Sequence, residues 1–150
     1  MKIAFVLERA RLDGTVRFAV RSTRMLRQRG HHVVIWCAEG SMTAELERAG
    51  ARVRHANSLA DASRAPEPCE LNEFREDVAM CDAVVAVAGA AFPFVLAADV
   101  KPPLFLDLLS NDLFVSDAAL VVDAVHEAGT LGGQLKVYQP RALQNVPARA

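Results

Sequence analysis

The chain has 150 residues, 52% of them hydrophobic and 23% charged, which predicts one globular domain and excludes wholesale disorder. No apolar run approaches the roughly 18 residues of a membrane span, and the start lacks a signal-peptide pattern, so a cytoplasmic protein is expected. The three cysteines are far apart and no metal site is predicted. Residues 1–30 carry eight basic side chains against two carboxylates, a net +6, whereas the whole chain carries −1. The amino-terminal face is therefore expected to meet something anionic.

Short apolar runs alternate with segments of helical periodicity along the chain. Strands are predicted at residues 2–7, 32–37, 51–55, 83–88, 104–107, 118–122 and 135–138. Helices are predicted at residues 15–29, 41–50, 70–80, 92–99 and 124–128, with residues 57–69 as a surface loop. This rhythm predicts a single Rossmann-like α/β domain, with a parallel sheet of about six to seven strands and helices on both faces. The domain is predicted to span residues 1–139, and residues 140–150 are expected to form a hinge or a loose tail.

The loop after the first strand is the first candidate ligand site. In open α/β sheets, ligands bind at the carboxyl ends of the strands, where the strand order reverses. Gly14 can allow a ligand to approach the backbone, and Thr15 is a plausible cap for the following helix. The start of that helix offers free N–H groups and partial positive charge to a phosphate. The alternative is that Asp13 and Gly14 form an ordinary turn.

Several motifs together resemble the amino-terminal domain of family 4 glycosyltransferases, which have the two-domain GT-B fold. Members open with a strand, a Gly-Gly-x-x-Arg loop and a helix that ends in Leu-x-x-Arg-Gly-His-x-Val. The matching segments here are residues 1–7 (MKIAFVL), 12–17 (LDGTVR), 26–33 (LRQRGHHV) and 46–53 (LERAGARV). Residues 82–87 (DAVVAV), 101–108 (KPPLFLDL) and 116–122 (SDAALVV) are similar to the family's fourth, fifth and sixth strands. The resemblance covers nearly the whole chain and is most specific in residues 1–55.

The resemblance implies the acceptor-side domain of an enzyme that transfers a sugar from a nucleotide sugar. In that family the first loop faces the cleft between the two domains and helps to contact donor phosphate or acceptor. Matched position by position, this implies substrate or phosphate contacts at Asp13, Gly14, Thr15 and Arg17. No metal and no covalently bound cofactor is expected. The sugar acceptor is expected to be a saccharide or a lipid-linked molecule.

The chain departs from the family pattern at several positions. Asp13 replaces the first loop glycine, and its carboxylate would repel a pyrophosphate although it could accept a hydrogen bond from a sugar hydroxyl. Val85 and Val87 stand where many relatives have histidines. Asp107, at the end of the fifth strand, is the best candidate for a catalytic or acceptor-binding side chain, with a turn-capping aspartate as the alternative. Asp123 replaces a serine that usually ends the sixth strand, and His126 is expected to be a surface histidine on a helix.

The family's donor-binding half is not recognisable in this sequence, because nothing after Pro140 supplies its basic pair and its Glu-x7-Glu motif. Sugar transfer requires donor and acceptor to be aligned in a closed cleft. We therefore expect the isolated chain to be inactive or nearly so. It would need a second subunit that carries the donor-binding domain, or it would be a degenerate remnant.

Alternative functions remain open at this point. Arg17, Arg21 and Arg24 share a helix face that could contact an anionic membrane at its inner face, or could simply be solvated. A non-catalytic Rossmann-like binding or interaction module, which could form a homo-oligomer, is the second function. A nicotinamide dehydrogenase is disfavoured because the first loop has one glycine, although Glu39 stands where a ribose-binding acid would. No acidic cluster of a phospho-receiver and no nucleic-acid-binding module is recognised.

Overall fold

The computed structural model describes residues 1–61, 63–87, 90–100, 104–108, 121–123, 125–126 and 137–138. For residues 104–108 and 137–138 the description covers the backbone. The tail at residues 140–150, and with it the predicted domain boundary at residue 139, lies outside the described residues. No helix in the described ranges combines the length and the apolar character needed to cross a bilayer.

Strands and helices alternate along the described chain. The strands are β1 (Lys2–Arg9), β2 (His32–Ala38), β3 (Arg52–His55), β4 (Ala83–Val87), β5 (Leu104–Leu108) and β6 (Val137–Tyr138). The helices are α1 (Gly14–Gln28), α2 (Thr43–Arg48), α3 (Pro68–Val78) and α4 (Ala91–Ala98), with a short 3-10 helix at Asn57–Ala60. Most boundaries fall within two residues of the predicted ones.

All strands of the sheet are parallel, in the order β3-β2-β1-β4-β5-β6. Four of them, β3, β2, β1 and β4, form the part with described side chains, which is fewer than the six to seven strands predicted; β5 and β6 continue the hydrogen-bonded order by their backbone. The prediction of a Rossmann-like α/β domain is confirmed at this coarse level.

The sheet is buried on both faces, which explains why its strands are continuously apolar. Ile3, Phe5 and Leu7 point to one face, where they pack with α1, α2 and the helical residues 121–123 and 125–126. Ala4 and Val6 point to the other face and pack with the 3-10 helix, α3 and α4. All five side chains of β1 from Ile3 to Leu7 are fully buried. The predicted placement of helices on both faces is therefore confirmed.

The second face is built around a cluster of aromatic side chains. The ring of Phe74 lies edge-on to Trp36 at 5.4 Å and to Phe94 at 5.1 Å between centroids. Edge-to-face pairs at this spacing contribute roughly 0.5–1.5 kcal/mol beyond the area that they bury. The indole N–H of Trp36 donates to Asp77 Oδ2 at 2.7 Å, so the buried ring keeps its hydrogen bond.

Two helices end in the same glycine motif, and both lead into strands. Gly30 follows α1 with φ of 85°, and Gly50 follows α2 with φ of 109°, a left-handed conformation that favours glycine. The N–H of His31 donates to Leu26 O and that of Gly30 to Arg27 O, which is the Schellman arrangement. The predicted helix ends at these two glycines are confirmed.

Two predicted segments differ from the structure. Residues 121–123 are helical, so the strand predicted at 118–122 is wrong for Val121 and Val122, and residues 118–120 lie outside the described part. Val121, Val122 and Val125 are at most 1% exposed and pack on the first face of the sheet. Their spacing fits one helix face, but a short apolar run does not distinguish helix from strand by periodicity.

The second difference is in the predicted loop at residues 57–69. It contains the 3-10 helix, and α3 already begins at Pro68. The Glu67 N–H donates to Glu70 Oε1 at 3.4 Å, and Pro68 takes the first helical position, where its missing N–H costs nothing. Pro68 therefore starts a helix inside the segment that was predicted to be a loop.

Candidate functional site

The carboxyl edge of the sheet has one place where the strand order reverses. Strands β2 and β3 follow on one side of β1, and β4 pairs with its other side. The connections from β1 and from β4 therefore leave in opposite directions, which is the place where open α/β sheets have a ligand-binding crevice. The loop at residues 10–13 and the start of α1 border this crevice, as the sequence predicted.

Asp13 is the N-cap of α1. Its Oδ1 accepts the Val16 N–H at 2.9 Å, and its backbone carbonyl accepts the Arg17 N–H at 3.1 Å. The prediction that Thr15 caps the helix is wrong, because Thr15 lies inside α1 and is only 8% exposed. An aspartate in extended conformation directly before the first helical residue is a preferred cap, and it satisfies one of the free N–H groups.

The second carboxylate oxygen of Asp13 is also engaged. Arg11 Nε donates to Asp13 Oδ2 at 3.2 Å, and both side chains lie at the surface. Arg11 and Arg17 together outweigh the Asp13 carboxylate, so residues 11–17 carry a net charge of +1. The expected repulsion of an anionic ligand by Asp13 is weakened by this arrangement.

Gly14 and Arg17 occupy the exposed side of the first helical turn. A Cβ added to Gly14 would have no atom within 4 Å, and its φ is not positive, so neither packing nor backbone conformation requires glycine here. The space beside it is open to a ligand. The predicted ligand contacts at Asp13, Gly14, Thr15 and Arg17 stay predictions, and Thr15 is buried at 8% exposure, which leaves its side chain little accessible surface.

A second glycine of this edge, Gly40, was not singled out from the sequence. A Cβ there would lie 2.2 Å from the carbonyl oxygen of Ala10, a distance at which the backbone itself would have to move. Ala10 donates its N–H to Ala38 O at 3.0 Å and accepts the Met42 N–H at 2.8 Å. The loops after β1 and β2 are thereby joined. The signal in the sequence was a glycine two residues beyond a buried strand.

The side chains predicted on the later strands have different outcomes. Asp107 lies in β5 in register with Ala86 of β4, near the carboxyl edge, and its catalytic role stays a prediction. Val85 and Val87, at the family's histidine positions, are fully buried against the first face of the sheet. Asp123 is helical rather than at a strand end, and His126 is an exposed helical histidine as predicted.

Arg21 and Arg24 lie on the exposed side of α1 together with Arg17. The opposite side of the helix is buried through Val16, Ala19 and Leu26. Leu12, in the first loop, is 64% exposed, so the loop presents an apolar side chain to solvent. Contact of the basic helix face with an anionic partner stays a prediction.

The cysteines have no role at this edge. Burial raises the pKa of the Cys37 thiol to about 12 and that of Cys81 to about 11, so neither is a nucleophile near neutral pH. Cys69 is exposed. Among the described residues, no group of three or more His, Cys, Asp or Glu side chains could hold a metal ion.

Comparison with known proteins gives a fold-level likeness. No protein-family model and no curated protein matches the chain. Ten solved chains match it. One of them, the "Glycotransferase of kitacinnamycin", is 18% identical with a TM-score of 0.47, over 71% of this chain and 30% of that one. The present chain thus spans less than a third of that protein, and a likeness at this level carries no argument about family or activity.

Proposed function

We propose that this chain is the acceptor-side domain of a glycosyltransferase of the GT-B type, similar to family 4. It would bind a saccharide or a lipid-linked acceptor, and a nucleotide sugar would be the co-substrate. The observation that carries the proposal is the reversal of strand order between β1 and β4, beside the start of α1. The sequence motifs in residues 1–55 support the assignment to this family, and the parallel sheet is compatible with its fold.

The start of α1 is the proposed phosphate contact. The first N–H groups of a helix have no intrahelical acceptor, and here they belong to Gly14 and Thr15. Arg17 is exposed one turn further and would add a charged donor. Asp13 holds this turn in place through the Val16 N–H rather than by touching the ligand.

Asp107 is the proposed polar side chain on the acceptor side. Its strand is the second from β1 on the β4 side, and its register partner is Ala86. A carboxylate there would orient an acceptor hydroxyl or receive its proton. No metal and no nucleic acid enters this proposal.

A partner that carries the donor-binding domain is part of the proposal. Alignment of both substrates in a closed cleft supplies much of the rate in transfer reactions, and one wall of the cleft supplies little of it. The basic side of α1 is proposed to contact the anionic inner face of the cytoplasmic membrane, where a lipid-linked acceptor would be presented.

A titration of the isotope-labelled chain with farnesyl phosphate, followed by amide NMR shifts, tests the acceptor site. We expect shifts at residues 13–17 that weaken in Arg17→Ala, whereas Arg48→Ala, an exposed arginine on α2, serves as the matched control. Neutral farnesol should cause much smaller shifts there. Absence of any shift at residues 13–17 would contradict the proposed acceptor contact.

A transfer assay with UDP-glucose tests the need for a partner. We expect no transfer above background from the pure chain, and appreciable turnover by the chain alone would contradict this part of the proposal. Binding to vesicles of anionic lipid should fall with salt and be lost when Arg17, Arg21 and Arg24 are all changed to Ala. Binding that survives the triple change would remove the membrane contact from the proposal.

A non-catalytic binding or interaction module is the second candidate. The observation in its favour is that Asp13 is occupied as a cap and that Val85 and Val87 are buried apolar side chains. Light scattering of the pure chain separates the two candidates in part, since an interaction module is expected to form a stable homo-oligomer. Transfer activity that is restored by adding a donor-binding domain would refute the module.

A further inference from the structure

A pocket of about 380 Å³ lies at the amino edge of the sheet, opposite the crevice. Its charged and polar lining comes from Lys2, Arg27, His32 and Arg52. Val33, Val34 and Gly50 complete the lining. The volume is within the range of small-molecule sites, roughly 300–1,000 Å³.

The parallel sheet explains why these residues meet. Lys2, His32 and Arg52 stand at the first positions of β1, β2 and β3, and parallel strands begin at the same edge. Lys2 pairs in register with His32, and Arg52 pairs with Val34. Lys2 and Arg52 therefore line one pocket together with His32, although these residues are about twenty to thirty positions apart in the sequence.

Arg27 is held over the pocket by the two Schellman turns. A Cβ on Gly50 would lie 3.0 Å from Arg27 Cγ and 3.2 Å from its Nε, so the arginine stem packs directly on the Gly50 backbone. Arg27 Nη1 donates to His31 O at 3.4 Å and to His32 Nδ1 at 3.1 Å. A guanidinium only donates, so the His32 Nδ1 is the acceptor of this hydrogen bond. In the neutral form of His32 the proton is then on Nε2, which can donate it in a hydrogen bond to a ligand.

Arg52 is held by a buried carboxylate. Its Nη2 donates to Asp77 Oδ1, and the Asp77 side chain is only 7% exposed. The other Asp77 oxygen accepts the indole N–H of Trp36. The Arg52 side chain is itself 54% exposed, so Asp77 orients its guanidinium while that group stays accessible from solvent.

The charge of the lining is one-sided. It contains three cations, and no carboxylate lines the pocket within the part of the chain that the structure describes. Two carboxylates contact lining residues from outside the pocket and offset part of this charge: Asp77 accepts from Arg52 and from Trp36, and Asp82 Oδ2 accepts the Lys2 backbone N–H at 2.9 Å. Arginines already fixed in orientation lose little freedom when they bind an anion, which favours binding.

We propose that this pocket binds a small molecule that bears phosphate groups. A concave site with two positioned guanidinium groups and a lysine fits a compact polyanion, whereas a flat basic face would be expected for a membrane or a nucleic acid. The site lies at the other edge of the sheet from the proposed acceptor crevice. It is therefore independent of the glycosyltransferase proposal.

Titration of the labelled full-length chain with inorganic pyrophosphate, and separately with ADP, tests the pocket. We expect amide shifts at residues 32, 50 and 52 and a Kd of about 1 mM or tighter at low ionic strength. Arg27→Gln should weaken pyrophosphate binding about tenfold, because it removes a charged double donor and keeps part of the stem. Lys2→Gln should weaken it as well.

Arg21→Gln is the matched control, since Arg21 is an exposed arginine of the same helix that does not line the pocket. It should leave the Kd unchanged, and a circular dichroism melt of each variant shows that it is folded. Equal weakening by Arg21→Gln and Arg27→Gln, or the absence of shifts at residues 32, 50 and 52, would overturn the proposal. Shifts confined to residues 13–17 would overturn it too, and would instead support the crevice.

Discussion

The polar side chains at the two edges of the sheet differ in what they contact. At the carboxyl edge, the polar side chains around the loop after β1 bond to other groups of the protein. Asp13 caps α1 and pairs with Arg11, and Arg9 donates to the Glu39 carbonyl. At the amino edge, Arg27 and Arg52 are oriented by protein contacts but still line an open pocket. The recognisable loop motif and the pocket lined by cations therefore lie at different edges of the sheet. The loop motif is contiguous in sequence, whereas the pocket is assembled from three separate segments.

Of the changes considered, Gly40→Ala should cause the largest loss of stability. It tests how closely the loops after β1 and β2 pack at the carboxyl edge. The new Cβ would meet the Ala10 carbonyl oxygen at 2.2 Å, and relief requires backbone movement. We expect the free energy of unfolding to fall by about 2–3 kcal/mol, measured by urea denaturation.

Gly14→Ala is the control for this change, since its Cβ would have open space and a helical backbone. We expect it to be neutral or to stabilise by up to about 0.5 kcal/mol. Similar losses in both variants would mean that the loops after β1 and β2 do not approach each other as described.

Asp13→Ala tests whether Asp13 is a helix cap rather than a ligand group. Loss of its bond to the Val16 N–H should lower the free energy of unfolding by about 1 kcal/mol in the absence of any ligand. Asp13→Asn, which keeps an accepting oxygen, should retain most of the stability. If Asp13→Ala unfolds at the same urea concentration as the wild type, the capping role is wrong.

His31 predicts a smaller, pH-dependent effect at the amino edge. Its Nδ1 lies 2.9 Å from the terminal amine of Met1, and Nε2 has no hydrogen-bond partner among the described residues. Burial lowers the pKa of His31 below 6.5, and the terminal amine, His126 and Arg29 lower it further, whereas Asp82 acts in the opposite direction. The unfolded chain then binds more protons at this histidine, so His31 leaves the free energy of unfolding unchanged above about pH 6.5 and lowers it as the pH drops below that value.

Chemical denaturation at several pH values measures this contribution. His31→Gln should remove it and flatten the stability profile below pH 6.5. His55→Gln, at the end of β3, is the matched control and should leave the slope in place. An unchanged slope in His31→Gln would show that another group is responsible.

The fold was largely predictable because its signals are local. Continuous apolar runs identified β1, β2 and β4, and Gly30 and Gly50 marked two helix ends whose positive φ explains them. The helical residues 121–123 were missed because a short valine run fits either kind of element. The start of α3 was missed because proline is common both in loops and at the first position of helices, and only the capping box of Glu67 and Glu70 distinguishes the two here.

The site was less predictable, because side-chain partners depend on tertiary contacts. The sequence located the first loop correctly, but it did not reveal that both oxygens of Asp13 are used within the chain. Gly40 matters only because Ala10 passes next to it, and the pocket exists only because three strands begin together. These contacts between segments that are distant in sequence depend on strand order and register, which no single segment of the sequence specifies.

The link between Ala10 and the segment after β2 has a consequence for selectivity. Ala10 is fully buried and is tied by its N–H to Ala38 and by its carbonyl to Met42. A loop fixed in this way loses little conformational entropy when a ligand arrives, which favours tight binding of a ligand with the matching shape. The same rigidity prevents adjustment to other shapes. A ligand site beside this loop should therefore select its ligands by shape and tolerate few substitutes.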